Sequence, residues 1–339
     1  MRPFAYERAE DAALASRHPT AQGQTDAKVA FLAGGTTLID LMKLDVLRPE
    51  RVVDITPLKR GHSEIDATPQ GLRLGAFASM AAVEDHPDVK RDYPAVAQSL
   101  MLAASPQLRN MATLGGNVLQ RTRCPYYRDP SWSECNKRSP GSGCAAIKGF
   151  NRQNAVLGVD EACIAQYPGD FGVVLAAFGA EVELVGPAGS RRIPFSSLHR
   201  PAGQPHLEHT LQPGEVIIAF RIPSGAVAKR SVYLKIRDRQ SYEFAISSAA
   251  VGLDLDGDEV KAVRIGLGGV AYRPWRAEAA EAALIGKPLT EDSAKAAAQI
   301  AFKGAVTHGD NDYKPELGRR TLVRALMQAR AISENRGAA

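Results

Sequence analysis

No run of about 20 consecutive apolar residues occurs in this chain of 339 residues, which argues against a membrane-spanning helix. Met1 to Arg8 lack the apolar stretch of a secretory leader, and Glu7 and Glu10 put charge where such a leader has none. No export signal of its own is expected. The chain would stay in the cytoplasm or reach the periplasm bound to a partner that carries the signal. Charge of one sign is also scarce. The formal net charge is +5, with basic residues spread along the sequence, so neither nucleic acid nor membrane is an expected partner. The three-glycine dinucleotide fingerprint and the Walker A lysine motif are both missing, so a Rossmann or P-loop domain is not the natural reading. Internal repeats and low-complexity tracts are absent too. Cysteine is rare, with only four, yet Cys124, Cys135, Cys144 and Cys163 all fall in one segment.

What is present is ordinary globular material, 45% apolar and 23% charged, long enough for two or three domains. Lys28 to Leu32 reads as a short strand. It enters Ala33-Gly34-Gly35-Thr36-Thr37 and then Leu38, Leu41 and Met42 at helical spacing. Arg51 to Ile55 and Leu72 to Gly75 are further strands, and Pro94 to Ala104 is helical with proline at its first position. A second glycine turn, Thr113-Leu114-Gly115-Gly116-Asn117, follows. Cys124 to Gly149 is rich in Pro, Gly, Ser and basic residues, without periodicity, and reads as an irregular insertion of the kind that binds something. Order returns at Asp170, with Ala180 to Leu184 alternating and a strand from Gly214 to Ile222. Ser224 to Lys229 is a plausible linker. Asp256-Gly257-Asp258 then joins two hairpin strands, and helices near Ser293–Ala305 and Arg320–Ile332 close the chain.

Paired glycines let several backbone N–H groups approach one anion with no Cβ in the way, and they tolerate positive φ. Two such turns, each with threonine, suit a pyrophosphate, although structural turns of this composition are common. The cysteine spacing leaves three readings open: an iron–sulfur cluster, structural zinc, or disulfides and free thiols. Zinc sites usually show closer cysteine pairs than these.

The run Phe31-Leu32-Ala33-Gly34-Gly35-Thr36-Thr37-Leu38 resembles the first FAD loop of the xanthine dehydrogenase and carbon monoxide dehydrogenase flavoprotein family. Arg109 to Asn117 resembles that family's second loop, Pro168-Gly169-Asp170 its following aspartate, and Gly268-Gly269-Val270-Ala271 its C-terminal domain. The likeness covers nearly the whole chain. It implies an α+β protein. An FAD-binding domain of the vanillyl alcohol oxidase type would span 1–224, as subdomains 1–58 and 59–224. A smaller α+β domain of the carbon monoxide dehydrogenase flavoprotein type would span 229–334.

Carried over position by position, Leu32 to Ile39 (Leu32, Ala33, Gly34, Gly35, Thr36, Thr37, Leu38, Ile39) and Thr113, Gly115, Gly116 and Asn117 would wrap the FAD pyrophosphate. Ala104 and Asn110 would lie beside it, and Asp170 would bond its ribityl or pyrophosphate end. Ile217 or Ile218, with Lys235, would sit near the isoalloxazine edge, and Tyr242 or Phe244 would gate the flavin face. Thr37 departs mildly from the Asp or Asn usual there.

Residues from about 121 to 165 form an insertion that most of the family lacks. It is similar to the subgroup with an extra 4Fe–4S cluster, as in periplasmic aldehyde oxidoreductases and 4-hydroxybenzoyl-CoA reductases, the former being the nearer match. By that likeness Cys124, Cys135, Cys144 and Cys163 would ligate one 4Fe–4S cluster. The loops at Gly34 and Gly116 are expected to be independent of it. The resemblance implies a heterotrimer in which a large molybdenum cofactor subunit oxidises the substrate. A small 2Fe–2S subunit would relay electrons to FAD on this chain, and FAD would pass them to an external acceptor. The rivals are a stand-alone flavin oxidase and a zinc-stabilised basic binding module.

Overall fold

Short strands assemble into three separate sheets in the computed structural model, which describes residues 1–20 and 25–337. The first sheet is parallel, with β1 (Ala5–Arg8) and β2 (Val29–Leu32) flanking β3 (Arg51–Asp54). Its central strand carries Val52 and Val53, both buried, as a strand paired on both edges requires. β1, with the sequence AYER, is mostly exposed and carries no apolar alternation, so the sequence gives no sign of it.

The second sheet is antiparallel and runs in the order β4 (Ile65–Thr68), β5 (Gly71–Gly75), β8 (Val216–Pro223), β6 (Glu181–Gly186), β7 (Gly189–Pro194). Its strands come from two distant stretches, and the long connection between β5 and β6 contains both the second glycine segment and the cysteines. The third sheet is β12 (Trp275–Arg276), β11 (Glu259–Gly268), β10 (Ser247–Asp256), β9 (Ser231–Ile236). The expected hairpin is there as β10 and β11, joined by a two-residue loop with Gly257 at φ 56° in its first central position. This sheet packs its own core with the helices Glu278–Leu284, Glu291–Ala301 and Lys314–Gly337. The α+β class is therefore as expected.

Several local expectations are corrected. The helix from Pro94 stops at Met101, before Ala104, which has φ 47° and cannot continue it. Thr113 to Asn117 is not a positive-φ turn. Thr113 caps a short helix, Leu114–Val118, accepting the Gly116 N–H on its hydroxyl. Of the four glycines in the two loops, only Gly35 has positive φ, at 74°. The supposed linker contains a helical turn, Ala226–Lys229. The last helix begins at Lys314 rather than Arg320, across Pro315 and Gly318, residues that disguise it in the sequence. A side chain at Gly318 would strike the ring of Phe302, so the glycine permits helix packing there. The insertion is irregular but ordered. It contains the short helix Pro125–Arg128 and the bridges Cys135↔Cys144 and Asp160↔Cys163.

One buried lysine staples the C-terminal domain to the exit of the insertion. Lys314 is fully buried, and its Nζ donates to Gln153 O at 2.8 Å, Gln166 Oε1 at 2.8 Å and Gly269 O at 2.7 Å. Burial, assisted by Arg152, pushes its ammonium down to about 7. The unfolded chain keeps that proton until roughly pH 10, so between pH 7 and 10 the unfolded state binds more protons. Stability should therefore rise with pH across this window, by up to about 1.4 kcal/mol per unit from this group. Denaturant titrations at pH 7 and pH 9 check it. The wild type should gain more on going to pH 9 than Lys314→Met does, and equal gains would contradict the assignment.

Candidate functional site: a glycine-lined cleft beside a cysteine cluster

The two glycine segments converge although they are far apart in sequence. A Cβ added to Gly34 would lie 2.0 Å from the Met111 carbonyl oxygen, so the first loop rests directly on the entry to the second. The second loop is pinned to the end of β5 by Met80 N–H to Ala112 O, Leu114 N–H to Ala78 O and Gly115 N–H to Ala76 O. Between them runs a cleft lined by Ala33, Gly34, Gly35, Thr36, Thr37, Leu38, Thr113, Gly115, Gly116 and Ile217, all expected site residues. Phe31, Ile55, Phe77, Leu119 and Val216 supply apolar walls. A side chain at Gly116 would meet only the Thr113 hydroxyl, so that stretch of the cleft wall is bare backbone, which close approach of a phosphate ester needs.

Other expected residues lie elsewhere. Leu32, Ile39 and Asn117 flank the lining residues in sequence. Ala104, at positive φ, precedes the helix Pro106–Met111, and the exposed Asn110 lies near its end; neither lines the cleft. Asp170 and Lys235 are brought together, but with each other. Lys235 Nζ lies 2.8 Å from Asp170 Oδ2 and 3.0 Å from Leu102 O, and the Tyr233 hydroxyl donates to Asp170 Oδ1 at 2.6 Å. The two side chains are 1% and 4% exposed, so Lys235 is no surface lysine. Removing one member of a buried ion pair leaves the other uncompensated, at a cost of about 3–5 kcal/mol. Lys235→Met should therefore destabilise the chain by that amount in urea unfolding, whereas a loss under 1 kcal/mol would show that water reaches Asp170. Tyr242 is exposed, with φ 52°. Phe244 lies under the Arg123 guanidinium at 4.8 Å and lines a small pocket with Arg123 and Cys124, on the cysteine side of the molecule.

Two polar residues of the cleft, Arg121 and His209, are not among the expected FAD contacts. No motif marks either. Arg121 Nε lies 2.6 Å from Glu208 Oε2, and Lys137 Nζ lies 2.7 Å from Glu208 Oε1. Against the upward push of burial, these two cations hold Glu208 down to about 2. Burial pushes the His209 imidazole down to about 4, and neither of its ring nitrogens has a protein partner.

The four cysteines also converge. All are free thiols. Cys124 packs in turn against the small apolar groups that contain Cys135, Cys163 and Cys144. Cys163 donates to Cys144, and with backbone N–H groups of Ile164, Ala146 and Ile147 this brings the Cys144 thiol down to about 6 despite burial. The same bond, and burial, push Cys163 up. Ala165 N–H points at Cys163 Sγ at 3.4 Å, and Asn154 Nδ2 lies 3.9 Å from Cys124 Sγ. Among the described residues, no three His, Cys, Asp or Glu side chains converge tightly enough for a single metal ion, as tetrahedral zinc would require. Nor is any helix among them long and apolar enough to cross a membrane.

The family described as the FAD binding domain in molybdopterin dehydrogenase matches residues 2–225, and the carbon monoxide dehydrogenase flavoprotein C-terminal domain matches residues 232–329. The chain is 44% identical over 338 residues to the aldehyde oxidoreductase FAD-binding subunit PaoB of Escherichia coli, covering 98% of this chain and 99% of that one. It is 27% identical to the carbon monoxide dehydrogenase medium chain of Hydrogenophaga pseudoflava, covering 91% of each. A solved carbon monoxide dehydrogenase structure from that organism superposes with a TM-score of 0.74 at 26% identity, covering 98% of this chain and 99% of that chain. With both domain families matched in this order along the chain, it belongs to the FAD-binding subunits of the molybdenum hydroxylase family.

Proposed function

We propose that this chain is the electron-transfer subunit of a heterotrimeric molybdenum-dependent aldehyde oxidoreductase, carrying FAD and one 4Fe–4S cluster. The observation that carries the reading is the convergence of the four cysteines, with backbone N–H groups directed at sulfur, beside an FAD cleft. Sulfurs that accept N–H bonds and lie near cations suit an anionic thiolate-bound cluster. Substrate oxidation belongs to a large molybdenum cofactor subunit, and a small 2Fe–2S subunit delivers electrons. The identity to a chain named as an aldehyde oxidoreductase subunit supports aldehyde as the substrate class.

FAD, when bound, supplies the exchange between one-electron input and two-electron output to an external acceptor. The cleft residues that would hold it are Ala33 to Leu38, Thr113, Gly115 and Gly116 at the pyrophosphate, with Ile217 beside the dinucleotide. Asp170 and Lys235 act as one unit, so any contact with the ribityl chain or flavin edge comes from that pair. Cys124, Cys135, Cys144 and Cys163 take the cluster. We assign the FAD-binding domain to 1–224, with the insertion at about 121–165, and the C-terminal domain to 229–334. Sheet membership supports these limits.

Purification from the native host tests the whole reading. Three chains should copurify with flavin, molybdenum and iron, and the isolated subunit should oxidise no aldehyde, although dithionite bleaches its flavin. Recovery of a single chain that oxidises substrate alone would overturn it in favour of a stand-alone oxidase.

A further inference from the structure

Arg121 and Lys137 lean on a single carboxylate. Their side chains are each 6% exposed, and that of Glu208 is 12% exposed. The triad therefore holds one buried positive charge in excess, an expensive arrangement unless an anion sits close by. Its two ends reach different sites. At one end Lys137 Nζ donates to the Tyr272 hydroxyl at 3.1 Å, and Tyr272 packs with Cys163 in one small apolar group. Lys137 follows Cys135 by two residues. Asn136 between them fixes the loop, accepting the N–H groups of Gly141 and Gly143 and donating to Ala162 O. At the other end Arg121 lines the FAD cleft. Thr25 ties the ends together, accepting from Arg121 Nη2 and donating to Lys137 O.

We infer that Lys137 is a positioning and charge-compensating residue for the anionic iron–sulfur group on the four cysteines, and that through Glu208 and Arg121 it couples the reduction potential of that group to FAD retention. The inference rests on the cluster reading above. Reduction adds negative charge to the group. A fixed buried cation therefore stabilises the reduced form more than the oxidised one and raises the potential. Glu208 opposes it. With Lys137 gone, Glu208 neutralises Arg121, and the cleft end loses the net positive charge that favours the FAD phosphates.

The test uses the assembled complex with Lys137→Met, Lys137→Arg and Glu208→Gln, reading the cluster's midpoint potential by EPR-monitored titration and the FAD dissociation constant by reconstitution. Lys137→Met should lower the potential and weaken FAD binding about fivefold. Lys137→Arg should restore both. Glu208→Gln should move the potential the opposite way, upward, because the carboxylate's negative charge is removed. A merely structural role would leave the potential unmoved or shift it alike in both variants, and either result overturns the inference. If Lys137→Met fails to assemble, the sign of the Glu208→Gln shift decides. A wild-type complex with no iron–sulfur signal at these cysteines would instead overturn the cluster reading itself.

Discussion

Gly116→Val should empty the FAD cleft while leaving the fold intact. Gly116 lies in the short helix Leu114–Val118 and lines the cleft. A Cβ added there meets only the Thr113 hydroxyl, at 3.1 Å, so the rest of a valine side chain extends into the space the dinucleotide needs. The backbone there is helical, so the variant is not strained by positive φ, contrary to the expectation drawn from a glycine pair. The damage is steric and falls on the ligand. Overpacking of this kind costs about 1–3 kcal/mol, or about 10- to 100-fold in FAD affinity. Flavin absorbance per chain after gel filtration should fall below a tenth of the wild-type value, with a thermal midpoint close to that of the FAD-free wild type. A full flavin complement would place the pyrophosphate elsewhere. Gly34→Ala is the instructive contrast. Its methyl would meet backbone, the Met111 carbonyl at 2.0 Å, so the two loops must separate and stability should fall along with FAD.

Cys135→Ser should remove the iron–sulfur cluster and expose the insertion to trypsin. Cys135 is buried and bridged to Cys144. The segment from Cys124 to Gly149 buries few apolar side chains besides Tyr126, Tyr127 and Ala146, so the cluster would supply much of what orders it. Serine is a poor substitute for a thiolate toward iron. Iron analysis and limited proteolysis are the measurements, and unchanged iron would sink the assignment. The sequence suggests that FAD would be untouched, since neither glycine loop belongs to the insertion. The structure says otherwise. Arg128 grips Asp40 through two bonds, of 2.9 and 3.1 Å, in the first turn of the helix Leu38–Lys43 that leaves the first FAD loop. Lys137 reaches Arg121 through Glu208. Partial loss of flavin, smaller than in Gly116→Val, is therefore the expected outcome.

What the sequence determined by itself is whatever depends on local pattern. Short apolar and β-branched runs marked β2 and β3, alternation marked β6, and the Asp256-Gly257-Asp258 turn marked the β10–β11 hairpin, because each is a pattern of neighbouring residues. The glycine pairs and the confined cysteines drew attention to two segments, but their composition left structural turns, zinc, disulfides and free thiols open. The family likeness then supplied FAD. Tertiary structure decided the rest. β1 is stabilised by pairing with β3, and its own residues do not advertise a strand. The last helix accepts Pro315 because it falls in the first turn, where no N–H is needed, and Gly318 because a side chain there would strike Phe302. Asp170 and Lys235, assigned separate contacts with the flavin by likeness, turn out to neutralise each other, because two opposite charges buried this close are held as a pair. Arg121, Lys137 and Glu208 carry no motif at all. They come from three segments, and the bridge they form between cysteines and cleft exists only once the chain has folded, since charge pairing at 2.6 to 2.7 Å is a property of positions in space and leaves no trace in spacing along the sequence.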